Sequence, residues 1–104
     1  MNTLRNTQGI NQIIMKPTAY TKCVIGGDWY KNELEIEFCP DQCYPDYIQV
    51  NEWIMKNIDG KSMNIEDVVD EVYKMLKENY HPTFLKVTDY ITDCRTHFDV
   101  IVSK

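Results

Sequence analysis

Basic residues are scarce in this chain: 11 Lys and Arg stand against 16 Asp and Glu, a formal net charge of -5 over 104 residues. A protein that grips nucleic acid along its surface needs clustered cations to displace phosphate counterions. Only short basic spots such as Lys16 and Lys22 are present, and these read as ordinary solubility. A small-molecule substrate is the better expectation, with a local tRNA contact left open. Long apolar runs are lacking too, so no segment reads as spanning a bilayer. The N-terminus has no apolar h-region and no small-residue cleavage site, which places the chain in the cytoplasm as an expectation. No internal repeat, low-complexity tract or Gly-rich phosphate loop is visible, and no Cys–His nucleophile pair is evident from spacing. Four cysteines (Cys23, Cys39, Cys43 and Cys94) have the number for two disulfides, but without a secretory signal reduced thiols are the default.

What is present fits one folded domain. Hydrophobic residues make up 43% of the chain and aromatics 12%, too many for a disordered polymer. A core this small gains from oligomerisation. Residues 1–16 are polar and read as an N-terminal arm, and residues 17–104 as the domain. Thr18 to Ile25 reads as a strand ended by the turn Gly26-Gly27-Asp28. Glu33 to Phe38 alternates acidic and apolar residues with period two, a half-buried strand that delivers Cys39 at its end, where Pro40 stops pairing.

Residues 46–58 admit two readings. Tyr47, Val50, Ile54 and Ile58 fit a helix with Pro45 near its start, whereas Ile48, Val50 and Ile54 fit a strand with a bulge. Periodicity slightly favours the helix. The next helix is unambiguous: Asn64 is its expected N-cap, Glu66 and Asp67 suit its first turn, and Ile65, Val68, Val69, Val72 and Leu76 form one apolar stripe. Pro82 ends it. Strands Thr83 to Thr92 and Thr96 to Ser103 follow, joined by Asp93-Cys94-Arg95. The predicted class is α+β, an antiparallel sheet of about four strands packed by one main helix. Its open edges favour pairing between copies, closing a multi-subunit barrel with the active site at a subunit interface.

The candidate chemistry lies in Cys39-Pro40-Asp41-Gln42-Cys43-Tyr44-Pro45-Asp46-Tyr47. Prolines bound this segment, which holds Cys39 and Asp46 with little entropy left to lose. A thiolate attacks electrophilic carbon and a carboxyl group delivers or takes the proton. The blander alternative makes Cys39 a core cysteine and Pro45-Asp46 a turn. A zinc site built from Cys39, Cys43, Cys94 and His81 or His97 lacks the closely repeated ligand pair of such sites, so no metal is expected. A reversible Cys39–Cys43 disulfide that protects the thiol is a further option.

Cys39-Pro40-x4-Pro45-Asp46-Tyr47-x2-Val50 resembles the catalytic segment of the tunnelling-fold 7-cyano-7-deazaguanine reductases, the nitrile reductases of queuosine biosynthesis. The resemblance spans roughly residues 33–104. It implies that Cys39 forms a covalent thioimide with the nitrile, that Asp46 handles the proton, and that Glu66 binds the edge of the base. It also implies a strand over 46–56, which is adopted here over the periodicity. The chain departs from the reductases in three places. Ile65 stands where they carry a His before the Glu. Asp59-Gly60-Lys61-Ser62 is a faint echo of their NADPH-binding motif, and the helix after it is missing. Their Arg-Gly-Gly segment is replaced by Asp93-Cys94-Arg95-Thr96. These departures resemble the shorter archaeosine synthase type of amidinotransferase, which resolves the thioimide with ammonia and needs no cofactor. The expected partners are the nitrile base, free or within tRNA or DNA, and further copies of the chain. An NADPH-dependent reductase and a non-catalytic deazapurine-binding or assembly protein are the alternatives.

Overall fold

The computed structural model describes residues 2–92 and 99–104. The expected Asp93-Cys94-Arg95 turn, the start of the last strand at Thr96, and Cys94 and His97 lie outside these residues. Nine elements follow in order: β1 (Thr3–Arg5), β2 (Ile13–Met15), β3 (Thr18–Lys22), β4 (Trp29–Cys39), β5 (Cys43–Pro45), α1 (Tyr47–Asn57), α2 (Ile65–Tyr80), β6 (Phe84–Ile91) and β7 (Val100–Ser103). The class is α+β with antiparallel strand pairing, as the sequence indicates.

Strand β4 is the axis of the sheet. One of its edges pairs with β6 over Glu33 to Cys39. The other pairs with β3 over Trp29 to Glu33 and with β2 over Ile36 to Phe38. β2 and β3 are separated by Lys16-Pro17, and the Pro17 carbonyl accepts from the Leu34 amide at 2.9 Å. Pro17 has no N–H to offer, so the chain steps there while keeping its place along β4. β7 closes the far side against β6. The sheet thus has five strands rather than about four, and β1 and β5 form a separate two-stranded ribbon. The polar N-terminal arm therefore enters both sheets.

Alternation along β4 sorts its residues between two faces. Asn32, Leu34, Ile36 and Phe38 are buried, and the apolar three share one core with Val50 and Ile54 of α1 and Val68, Val69, Val72, Met75, Leu76 and Tyr80 of α2. Glu33, Glu35, Glu37 and Cys39 fall on the other face, which no helix among the described residues covers. Their directly opposed partners Tyr90, Thr88, Lys86 and Phe84 share that face.

Residues 47–57 are helical, which corrects the strand inferred from the family pattern; two helices pack the sheet rather than one. The reason is local. Asp46 occupies the N-cap with extended backbone, and its carboxylate accepts from the Ile48 amide at 3.0 Å. Val50, Ile54 and Ile58 then fall four residues apart and are all buried. Asn64 sits at the N-cap of α2 as expected, yet its side chain makes no capping hydrogen bond. Asn64→Ala is therefore expected to change unfolding free energy by less than about 0.5 kcal/mol, against about 1 kcal/mol for a working cap; urea denaturation measures this. His81 takes the left-handed C-cap conformation at φ 48°, ahead of Pro82.

One polar cluster lies inside the helix-facing side. Asn32 donates to the Ala19 carbonyl at 3.1 Å and to Thr21 Oγ1 at 2.8 Å, while its own Oδ1 has no partner among the described residues. Asp89 lies opposite Leu34, one step diagonal to Asn32; it is 0% exposed, and among the described residues both carboxyl oxygens lack a partner. Burial pushes its pKa up to about 7. Among the described residues no helix is long and apolar enough to cross a membrane.

Candidate active site at the end of the central strand

Cys39 closes β4 as a half-buried free cysteine on the uncovered face. Its carbonyl is held twice by Thr83, from the backbone amide at 2.9 Å and from Oγ1 at 3.1 Å. Phe84, directly across the ladder, is 49% exposed, so the thiol has a flat apolar neighbour open to solvent. Glu37 and Lys86 form the next opposed pair on the same face. Further along, Glu35 accepts from the Tyr90 hydroxyl at 3.3 Å and pairs with Lys16 at 3.6 Å. The Glu35 charge raises the Tyr90 phenol above its usual range, with burial adding to it.

The chain leaves Cys39 through buried Pro40 and returns as β5 before Asp46 starts α1. Cys43 is placed differently from Cys39. Its thiol donates to the Tyr80 carbonyl at 3.6 Å, at the C-terminal end of α2. Cys39, Cys43 and Cys23 are all free thiols. Among the described residues no three His, Cys, Asp or Glu side chains are grouped to hold a metal ion.

Tyr80 supports the segment from beneath, a role its sequence position did not reveal. Its ring is buried and meets Phe38 edge-on at 6.3 Å between centroids, one residue before Cys39. Its hydroxyl donates to the Asn2 carbonyl at 3.5 Å. The phenol is raised above its usual range, first by burial and then by its electrostatic interactions with Cys43 and Asp46. Tyr80 therefore lies within electrostatic reach of the carboxylate that the sequence singles out. The signal was available only as an aromatic at the last position of a long amphipathic helix, which ordinarily reads as core.

Glu66 lies elsewhere. It is exposed in the first turn of α2, where Ser62 bridges Lys22 and the Met63 amide donates to the Lys22 carbonyl at 3.1 Å. Lys22 pairs with Trp29, the end of β4 remote from Cys39. At 1.5 Å per residue, Glu66 begins roughly 20 Å along the helix from Tyr80. One copy of the chain thus joins Cys39 and Asp46 through one short segment and leaves Glu66 at the opposite end.

A concavity of about 500 Å³ runs along Gln49, Glu52, Trp53, Lys56 and Asn57 of α1. A smaller one of about 280 Å³ opens beside Tyr47 and Val50, against Met15 and Pro17.

No protein-family model matches the chain, and no curated protein does. A solved structure does: the crystal structure of the archaeosine synthase QueF-Like in the apo form superposes with a TM-score of 0.81, covering 93% of this chain and 94% of that one at 16% sequence identity. At that identity the likeness speaks for architecture alone. Over nearly its whole length, this chain has the fold of that archaeosine synthase structure.

Proposed function

We propose that this chain is the protomer of a homo-oligomeric tunnelling-fold enzyme that converts the nitrile of 7-cyano-7-deazaguanine through a Cys39 thioimide. The observation that carries the reading is Cys39-Pro40-x4-Pro45-Asp46, poised between a strand end and a helix cap, in a fold shared with an archaeosine synthase structure. The Cys39 thiolate attacks the nitrile carbon, the C≡N bond becomes C=N, and Asp46 supplies the proton taken up by nitrogen. Ammonia then adds to the same carbon, the thiolate leaves, and an amidine is released with Cys39 restored. No redox cofactor enters this sequence.

Glu66 belongs to the base-binding edge of a neighbouring copy in this reading. Its remoteness from Cys39 within one chain and the open edges of the sheet support completion of the pocket between subunits. The uncovered sheet face then lines the inside of the barrel.

Intact mass spectrometry of protein incubated with the nitrile base tests the first step. The expected result is a one-to-one covalent adduct, discharged as amidine when ammonia is supplied. Parallel incubations use free base and base carried in tRNA or DNA, because the acidic surface favours the former. Discharge by NADPH instead of ammonia would transfer the reading to the nitrile reductases. Binding with neither adduct nor product would leave a non-catalytic deazapurine binder.

A further inference from the structure

The loop that joins Cys39 to Asp46 is held at its tip by a residue from the far N-terminus. Asp41 and Gln42 are exposed and belong to no strand. Their carbonyls are nevertheless both taken. The Asn6 backbone amide donates to the Gln42 carbonyl at 2.9 Å, and Asn6 Nδ2 donates to the Asp41 carbonyl at 3.2 Å. Two successive peptide units of the loop thus rest on a single residue.

Asn6 is itself rigidly presented. Its Oδ1 accepts from the Ile10 amide at 2.9 Å and its Nδ2 also donates to the Ile10 carbonyl at 3.1 Å, so the side-chain amide closes the turn from Asn6 to Ile10. Gly9 makes that turn with φ +66°, a conformation strained for any residue with a Cβ. On the other side of Asn6 the pairing continues: Arg5 lies opposite Cys43, Leu4 opposite Tyr44 and Thr3 opposite Pro45. The Asn2 amide then donates to Gln49 Oε1 at 2.7 Å, on α1 just after the Asp46 cap. Residues 2–10 therefore run alongside the whole path from the loop tip to the helix that presents Asp46.

We propose that residues 2–10 are a strap and that Asn6 is a positioning residue for the Cys39 to Asp46 pair. It touches neither reacting group and acts through the loop carbonyls. The kinetic part of the proposal rests on the thioimide reading; the structural part does not. A nucleophile and a proton donor on one short segment keep their geometry only if the peptide units between them are held. Thr83 holds the Cys39 side of the loop, and Asn6 holds its tip.

Two measurements on Asn6→Ala, Asn6→Asp and Gly9→Ala test this. Asn6→Asp keeps the acceptor for the Ile10 amide and loses the Nδ2 contacts to the Ile10 and Asp41 carbonyls, whereas Asn6→Ala loses all three side-chain contacts. Amide hydrogen exchange is expected to speed up roughly tenfold across residues 40–46 in both Asn6 variants, the factor for about one lost hydrogen bond, with exchange in α2 unchanged. The maximal rate of adduct formation with the nitrile base is expected to fall by a similar factor at an unchanged half-saturating concentration. Gly9→Ala, which strains the turn without touching the loop, should show the same pattern more weakly. Unaltered exchange at 40–46 overturns the strap, as does exchange that rises equally throughout the molecule. Faster exchange at 40–46 with a wild-type adduct rate overturns the positioning role. If the wild-type protein forms no adduct, the thioimide reading fails while the exchange data still judge the strap.

Discussion

Asp46→Asn is expected to slow thioimide formation by roughly 10²- to 10⁴-fold while leaving the fold intact. Asp46 is both the observed cap of α1 and the proton donor proposed above, which makes this informative. As the N-cap of α1 it accepts from the Ile48 amide at 3.0 Å, and Asn caps a helix about as well as Asp. The substitution therefore keeps α1 in place and removes only a group that can carry a proton to the nitrile nitrogen. Asp46→Ala loses the cap as well, which costs about 1 kcal/mol of stability. Comparing the two by mass-spectrometric adduct kinetics and urea denaturation separates chemistry from capping. A wild-type adduct rate in Asp46→Asn would reduce Asp46 to a helix cap. In the same experiment Cys39→Ala should give no adduct at all. An adduct persisting there would move the nucleophile to another thiol, and Cys43 is poorly disposed for that role because its Sγ is engaged with the Tyr80 carbonyl.

The second large effect concerns stability. Asp89 is fully buried with neither oxygen paired among the described residues, and burial raises its pKa from 3.8 to about 7. The folded state therefore keeps the proton over a range in which the unfolded chain has already released it. Stability falls as pH rises, by about 1.4 kcal/mol per unit between 3.8 and about 7, for a total of about 4 kcal/mol, and is flat above that window. Asp89→Asn keeps the shape and cannot ionise. It is expected to abolish this slope, matching wild type near pH 4 and exceeding it by several kcal/mol at pH 8, as far as its amide tolerates the same unpaired surroundings. Chemical denaturation at a series of pH values provides the measurement. A wild-type slope unchanged in Asp89→Asn would assign the pH dependence to other groups.

Several parts of this molecule were legible in its residues because the signal was local. The stripe Val68, Val69, Val72 and Leu76 marks α2 at 3.6-residue spacing, and all four are buried. The alternation from Glu33 to Phe38 marks β4 and sends Leu34, Ile36 and Phe38 inward. The helix over 47–57 is legible in the same way, through Val50, Ile54 and Ile58, whereas the family pattern points to a strand there. That pattern describes where Cys39 and Asp46 stand, but it does not determine the backbone after Asp46. The cap and the four-residue spacing do.

Other parts were not legible. Thr3–Arg5 and Ile13–Met15 carry too little apolar alternation to announce strands, and they pair because β4 and β5 offer free backbone groups beside them. Asp89 sits within Phe84 to Ile91 as an ordinary polar residue; only the β6 register turns it onto the helix-facing side. Asn6, Tyr80 and Thr83 converge on the site from positions far apart in the chain.

The segment from Cys39 to Asp46 shows where the boundary falls. Its residue types, its prolines and the strand before it were set by the sequence alone, because nucleophile, carboxyl group and period-two alternation are properties of neighbouring residues. Which face the thiol takes, what braces the loop, and the distance to Glu66 were decided by tertiary structure. Those depend on ladder register and on hydrogen bonds between residues dozens of positions apart, such as Asn6 to Asp41 and Thr83 to Cys39. No local pattern encodes such long-range pairings, because their energy is realised only once the chain has closed on itself.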